Sequence, residues 1–247
     1  MRALTPTRRA LLADLPPTGG GEDHAMTVAG MTFVADPAGA LYWPEQSLLA
    51  VADLHLEKGS AFATRGVLLP PYDTAATLDR LAKLVERYAP RLVVALGDSF
   101  HDGGGPARLT EISRAALKTL QHGRDWVWLA GNHDPDPAVG IGGRFAESLA
   151  IGPLALRHEP SRPACDGEIA GHLHPVARVA RRGRAVSRRC FAGDGKRLVM
   201  PAFGAYAGGL NIRDPAIVAL FGALSFTAHM LSERRIYAVP AARCLAD

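Results

Sequence analysis

A chain of 247 residues, 48% of them hydrophobic, can bury a full core, and α/β domains of this length are commonly single. No stretch approaches the roughly 20 uninterrupted apolar residues of a membrane-spanning helix, and the basic start lacks a secretory apolar run because Asp14, Pro16 and Pro17 interrupt it. A soluble cytoplasmic protein is expected from this; net charge is +4, and Cys165, Cys190 and Cys244, odd in number and without CxxC spacing, suggest neither a disulfide framework nor a structural zinc site and read as ordinary reduced thiols.

In chain order, residues 1–25 are rich in Pro, Gly and Arg and read as a flexible N-terminal extension, with one short helix around Arg8 to Leu12. Met26 stands just before the first ordered-looking segment and is a candidate natural start of translation. Val28 to Val34 and Ala40 to Trp43 read as short strands joined by the turn Asp36-Pro37-Ala38-Gly39. Ser47 to Ala52 is a buried strand delivering Asp53 and His55. Thr74 to Tyr88 then carries Leu78, Leu81, Leu84 and Val85 at helical spacing and is closed by Pro90. Leu92 to Leu96 is a second buried strand, ending at Gly97-Asp98-Ser99-Phe100-His101-Asp102. Leu109 to Leu120 is a second helix, and Trp126 to Ala130 a third strand, ending at Gly131-Asn132-His133-Asp134. Alternation of strand and helix predicts a parallel sheet, with chemistry at the ends of its strands.

Beyond this the pattern shortens. Leu154 to His158, Glu168 to Ala170 and Arg197 to Met200 are brief runs with no long helix between them, which predicts a second sheet packed on the first. Ile217 to Phe221 and Ile236 to Val239 supply further helix or strand at its edge. Arg178, Arg181, Arg182, Arg184, Arg188, Arg189, Lys196 and Arg197 crowd one stretch containing a single acid, Asp194. Two readings stay open for it: a surface that meets a polyanion, or a solvated hairpin.

The candidate donors are Asp53, His55, Asp98, Asn132, His158, His172 and His174, the last two from Gly171-His172-Leu173-His174. Carboxylate, imidazole and one amide oxygen suit Mn²⁺, Fe or Zn²⁺, without the thiolates that select softer ions. Seven donors exceed the needs of one open catalytic ion, whereas two ions bridged by a carboxylate, about 3.5–4 Å apart, fit well. Two dications against two aspartates leave a site that attracts anions. A metal-bridging hydroxide, available near neutral pH, would attack phosphorus in line with the leaving oxygen. His24, His122 and His229 have no such context and read as ordinary histidines.

The ordered blocks Asp53-x-His55, Gly97-Asp98, Gly131-Asn132-His133-Asp134 and Gly171-His172-x-His174 resemble the calcineurin-like metallophosphoesterases. More narrowly, Arg65-Gly66-Val67-Leu68-Leu69-Pro70-Pro71-Tyr72-Asp73, Gly97 to Asp102, Gly171 to Pro175 and Met200-Pro201-Ala202-Phe203-Gly204 resemble the bacterial PdeM branch, the ligase-associated DNA damage response endonucleases. The likeness runs from about residue 28 to about residue 238. It implies an αββα two-sheet β-sandwich flanked by helices, with residues 26–247 as the catalytic domain. Asp53, His55, Asp98 and His174 would surround one ion, and Asp98, Asn132, His158 and His172 the other. His158 comes from a block of one histidine, where a structural histidine is the alternative. By the same resemblance His133 contacts the phosphoryl group and protonates the leaving oxygen, with Asp134 orienting it. His101 and Asp102 read as substrate-rim residues or as a structural turn. The resemblance implies a Mn²⁺-preferring DNA endonuclease linked to DNA repair, with a DNA ligase and a helicase as partners. The alternatives are a small-molecule (nucleotide) phosphodiesterase or phosphatase and a non-catalytic scaffold.

Overall fold

A computed structural model describes residues 24–163, 165–181 and 183–247. All but the last two residues of the expected extension, its short helix included, lie outside this range, as does Arg182.

The first sheet is built in chain order from β1 (Ala25–Val28), β2 (Met31–Ala35), β3 (Leu41–Trp43), β4 (Leu48–Val51), β5 (Leu92–Ala95), β6 (Asp125–Leu129) and β7 (Arg144–Ala146). Its first four strands are antiparallel, and β4 to β7 run parallel. The crossovers carry α1 (Lys58–Ala63) and α2 (Asp73–Tyr88) between β4 and β5, then α3 (Gly105–Arg108) and α4 (Glu111–Gln121) between β5 and β6.

Every residue of β4 is buried because both faces of the sheet are covered, which is why the central strands read as unbroken apolar runs. Side chains still alternate. Leu49, Val51, Val93, Ala95, Trp126 and Trp128 pack with Leu78, Leu81, Leu84 and Leu117 of α2 and α4. Leu48, Ala50, Val94, Val127 and Leu129 face the other way, onto Leu156, Ile169, Phe191 and Leu198 of the second sheet.

That second sheet contains β8 (Ser148–Ile151), β9 (Leu154–Arg157), β10 (Glu168–Ala170), β11 (Pro175–Arg181), β12 (Arg184–Gly193), β13 (Arg197–Val199) and β14 (Leu210–Asn211), in the spatial order β14-β11-β12-β13-β10-β9-β8. β15 (Thr227–Leu231) pairs with β12, and β16 (Ile236–Pro240) with β15. Its outer face is capped by α5 (Pro215–Val218) and by Leu220, Phe221 and Phe226. The result is the expected two-sheet sandwich with helices on the outside. No helix among the described residues is long and apolar enough to cross a membrane.

The structure departs from the sequence reading at several points, and β7, β8, α3, β14 and β15 lie where no element was expected. Val28 to Val34 is a hairpin rather than one strand, because Ala29 and Gly30 both take left-handed conformations, φ 46° and 81°, in a two-residue turn. The run from Ile217 is helical only to Val218, and α1 lies where no element was expected. α1 is tied to the start of α2: Asp73 Oδ2 accepts from Gly59 N–H at 2.9 Å, and Thr74 Oγ1 accepts from Glu57 N–H at 2.8 Å. This fixes the chain leaving His55.

Candidate metal centre

Each candidate donor sits just past the C-terminal end of a strand. Asp53 and His55 follow β4, Asp98 follows β5, and Asn132 follows β6; His158 follows β9, and His172 and His174 follow β10. The two sheets meet at this rim, where the Asp53 carboxylate accepts the His172 N–H at 3.0–3.1 Å.

The seven residues converge as two groups. Asp53, His55 and His174 offer one ligand atom each, all within 4.8 Å of one another, and Asp98, His158 and His172 do the same. Asp98 lies between the groups: its Oδ2 is 3.8 Å from His55 Nε2, and its Oδ1 is 3.4 Å from His158 Nε2. Asn132 Oδ1, 2.9 Å from His158 Nε2, joins the second group.

Backbone conformation shows how tightly the positions are imposed. Asp53, His55, Asp98, His172 and His174 all have positive φ, between 43° and 71°. Such residues cost on the order of 1–3 kcal/mol each and persist only where surrounding structure over-determines them, commonly at functional sites. Glycines allow the crowding. A Cβ on Gly97 would lie 2.5 Å from the His158 ring, and one on Gly131 would lie 2.1 Å from Asp98 N.

Ring orientations follow from hydrogen bonds to oxygens that can only accept. His158 Nδ1–H donates to the Leu96 carbonyl at 2.9 Å, leaving Nε2 turned to Asp98 and Asn132. Burial, and then the neighbouring rings of His174, His133 and His101, push the His55 pKa down to about 2; burial, then His158, holds His172 below the ordinary histidine value. Burial acts to lower His174 as well, but its hydrogen bond to Asp53 and that residue's charge outweigh it, so the pKa is raised. Neutral imidazoles are the form that binds a metal. The donor set, two aspartates among buried and half-buried histidines with one amide oxygen, fits two divalent cations.

The calcineurin-like phosphoesterase family model matches residues 47–180, more than half of the chain. This chain belongs to the calcineurin-like phosphoesterase family. Among solved structures, the nuclease MPE of Pseudomonas putida is similar, with 26% sequence identity and a TM-score of 0.68 over 87% of this chain and 98% of that one. The search of curated proteins found no match. As a calcineurin-like phosphoesterase the protein is a metal-dependent phosphoester hydrolase, and its two clusters imply two divalent ions.

Around the metal positions of this phosphoesterase, His133 is exposed, with Nε2 3.9 Å from Asp98 Oδ2 and its backbone N–H donating to Asp98 Oδ1 at 2.9 Å. Asp134 does not orient the imidazole, as the resemblance implied. His133 Nδ1–H donates to the His101 carbonyl at 2.8 Å, while buried Asp134 accepts from the Phe100 N–H at 3.0 Å. Burial, with the charge of Asp98 added, pushes the Asp134 pKa up to about 6. Its place is to brace the loop after β5. His101 and Asp102 separate: the His101 ring stacks on His133 at 5.2 Å and forms the site wall, whereas Asp102 pairs with Arg108 at 2.7 Å and anchors α3.

Sequence reading missed Lys58, the first residue of α1. Its Nζ donates to the Tyr206 carbonyl at 3.0 Å, and its charge bears on both His55 and His101. A lysine three residues after His55 was the available signal. The arginine-rich stretch also divides. Arg197 is 3% exposed and forms a buried ion pair with Glu168, 1% exposed, which makes it part of the core. Arg189 turns inward to the Ala202 carbonyl at 2.6 Å. His24, His122 and His229 join neither cluster.

Proposed function

We propose that this phosphoesterase is a two-metal phosphodiesterase that cuts nucleic acid, with residues 26–247 as its catalytic domain. The observation that carries the reading is Asp98, whose two oxygens face separate ligand groups. Asp53, His55, Asp98 and His174 would hold one ion and Asp98, Asn132, His158 and His172 the other; oxygen and imidazole donors suit Mn²⁺, Fe or Zn²⁺, and the resemblance to the PdeM branch favours Mn²⁺. When bound, the ions supply a hydroxide near neutral pH and neutralise charge on a phosphoryl group.

The chain's own residues do the rest. His133 presents Nε2 beside the shared carboxylate, and its ring is held by the His101 carbonyl, so it can face a bound phosphoryl group and give a proton to the departing oxygen. Asp134 fixes the loop carrying Asp98. Lys58 adds a positive charge beside the site, favouring an anionic substrate. A nucleic-acid substrate is supported by the nuclease neighbour. DNA as the strand cut, a place in repair in the cytoplasm, and association with a ligase or helicase rest on the resemblance to the PdeM branch.

The test is hydrolysis by purified, Mn²⁺-loaded protein of bis-p-nitrophenyl phosphate, p-nitrophenyl phosphate, single-stranded DNA and plasmid. The proposal expects diester over monoester and cleavage of DNA. His133→Ala should lose about 10²–10⁴-fold in rate while keeping both metals. A protein that hydrolyses the small diester and leaves DNA intact at low salt is a small-molecule phosphodiesterase instead.

A further inference from the structure

The second sheet sends one hairpin past the rim that carries the metal ligands. β10 and β13 are parallel, β12 is antiparallel to β13, and β11 is antiparallel to β12, so β11 runs in the direction of β10. β10, however, ends just before His172, while β11 begins just after His174. Register confirms the overhang: Ala192 is level with Val199, the last residue of β13, whereas Arg189 is level with Val176. From Pro175 to Arg181 the ribbon therefore continues outward, over a contour of at most roughly 20 Å at 3.3 Å per residue.

This overhang carries arginines and no acidic residue between Pro175 and Gly193. Arg178 is tied to the C-terminal segment through the Ala246 carbonyl and Asp247, and Arg189 is turned inward. Arg181, Arg184 and Arg188 remain exposed, and among the described residues none of the three has an ion-pair partner. Arg181 stands directly opposite Arg184, and Arg188 is opposite Ala177, which puts the three guanidinium groups on one face of the ribbon. Like charges directly opposite in a hairpin are destabilising when nothing lies between them.

We propose that the β11–β12 ribbon is a phosphate-binding arm, on which Arg181, Arg184 and Arg188 hold the backbone of a nucleic-acid strand whose cleaved bond lies at the metal site. This rests on the nuclease reading and deepens it. Spaced guanidinium groups on an extended ribbon match a periodic polyanion, and their contacts carry affinity without base preference. At 3.4 Å per nucleotide of a stacked strand, the ribbon's contour spans at most about six nucleotides. Small diesters fall short of it.

The experiment combines Arg181→Gln, Arg184→Gln and Arg188→Gln in the full chain. It compares kcat/KM on a long single-stranded oligonucleotide, a dinucleotide and bis-p-nitrophenyl phosphate across salt concentrations. Three phosphate contacts on a single strand contribute about 2.1 to the log-log salt slope, so a fourfold rise in salt should cost the wild type about 20-fold more than the variant. The expected result is a flattened slope and weakened oligonucleotide cleavage at low salt, with the two short substrates serving as the internal reference for an intact site. Oligonucleotide cleavage with the wild-type slope overturns the arm, as does an equal loss on all three substrates. If the wild type hydrolyses the small diester and leaves every nucleic acid intact, the nuclease reading fails first and takes the arm with it.

Discussion

Gly131→Ala tests whether the site depends on the close approach of two loops. The glycine is not in a left-handed conformation, so left-handed strain does not enter and the effect is steric. Its Cβ would lie 2.1 Å from Asp98 N, 2.3 Å from Asp98 Oδ1 and 2.6 Å from Asp134 Oδ1. Opening the first contact to 3.0 Å, below which real Cβ contacts essentially never fall, requires a shift of 0.9 Å (3.0 less 2.1) in the residue shared by both ligand groups. A misplacement near 1 Å costs about 100-fold in rate, or about 2.7 kcal/mol of barrier. The overpacking itself should cost about 1–3 kcal/mol of stability. Gly103→Ala is the matched control, since a Cβ there has nothing within 4 Å. Hydrolysis of bis-p-nitrophenyl phosphate, with metal content measured on the same samples, should show Gly131→Ala down at least 100-fold and Gly103→Ala within twofold of wild type. A Gly131→Ala protein with full metal content and activity within threefold of wild type would refute the reasoning.

Glu168→Gln leaves the Arg197 charge buried without its counter-charge, and urea unfolding should record a loss of about 3–5 kcal/mol. Bound metal should relieve the cost of ordering the strained ligand loops: at 100 times the dissociation constant each site adds about 2.7 kcal/mol, so a chelator should lower the melting temperature by several degrees and Mn²⁺ should restore it. Burial holds His229 below the ordinary histidine value, so the unfolded chain takes up the proton first as pH falls. The stability it contributes is present above pH about 6.5 and is lost as pH falls from there through the folded value. His229→Gln should therefore flatten the dependence of the urea midpoint on pH below about 6.5, and an unchanged slope would contradict this.

Much of this site was visible in the sequence because its donors follow strands that betray themselves. Leu48 to Val51, Leu92 to Ala95 and Trp126 to Leu129 are covered on both faces, so they are apolar without interruption, and the polar residue ending each run stands out. What stayed hidden depends on side-chain direction. A run of arginines does not disclose which members point inward, so in the sequence nothing separates Arg197, buried against Glu168, from Arg181. Asp134 is adjacent to His133 in sequence, yet the imidazole is met by a main-chain carbonyl from 32 residues earlier, for which no residue type signals. α1 escaped because Lys58-Gly59-Ser60-Ala61-Phe62-Ala63 has one large apolar side chain and therefore no periodicity to read. The β1–β2 turn escaped because it sets Ala29 in a conformation that sequence assigns to glycine or asparagine.

The most direct measurement is anomalous scattering from a crystal of the protein loaded with Mn²⁺. The account predicts two peaks, one among Asp53, His55 and His174 and the other among His158, His172 and Asn132, with Asp98 in contact with both. A single peak, or two with Asp98 reaching only one, would contradict it.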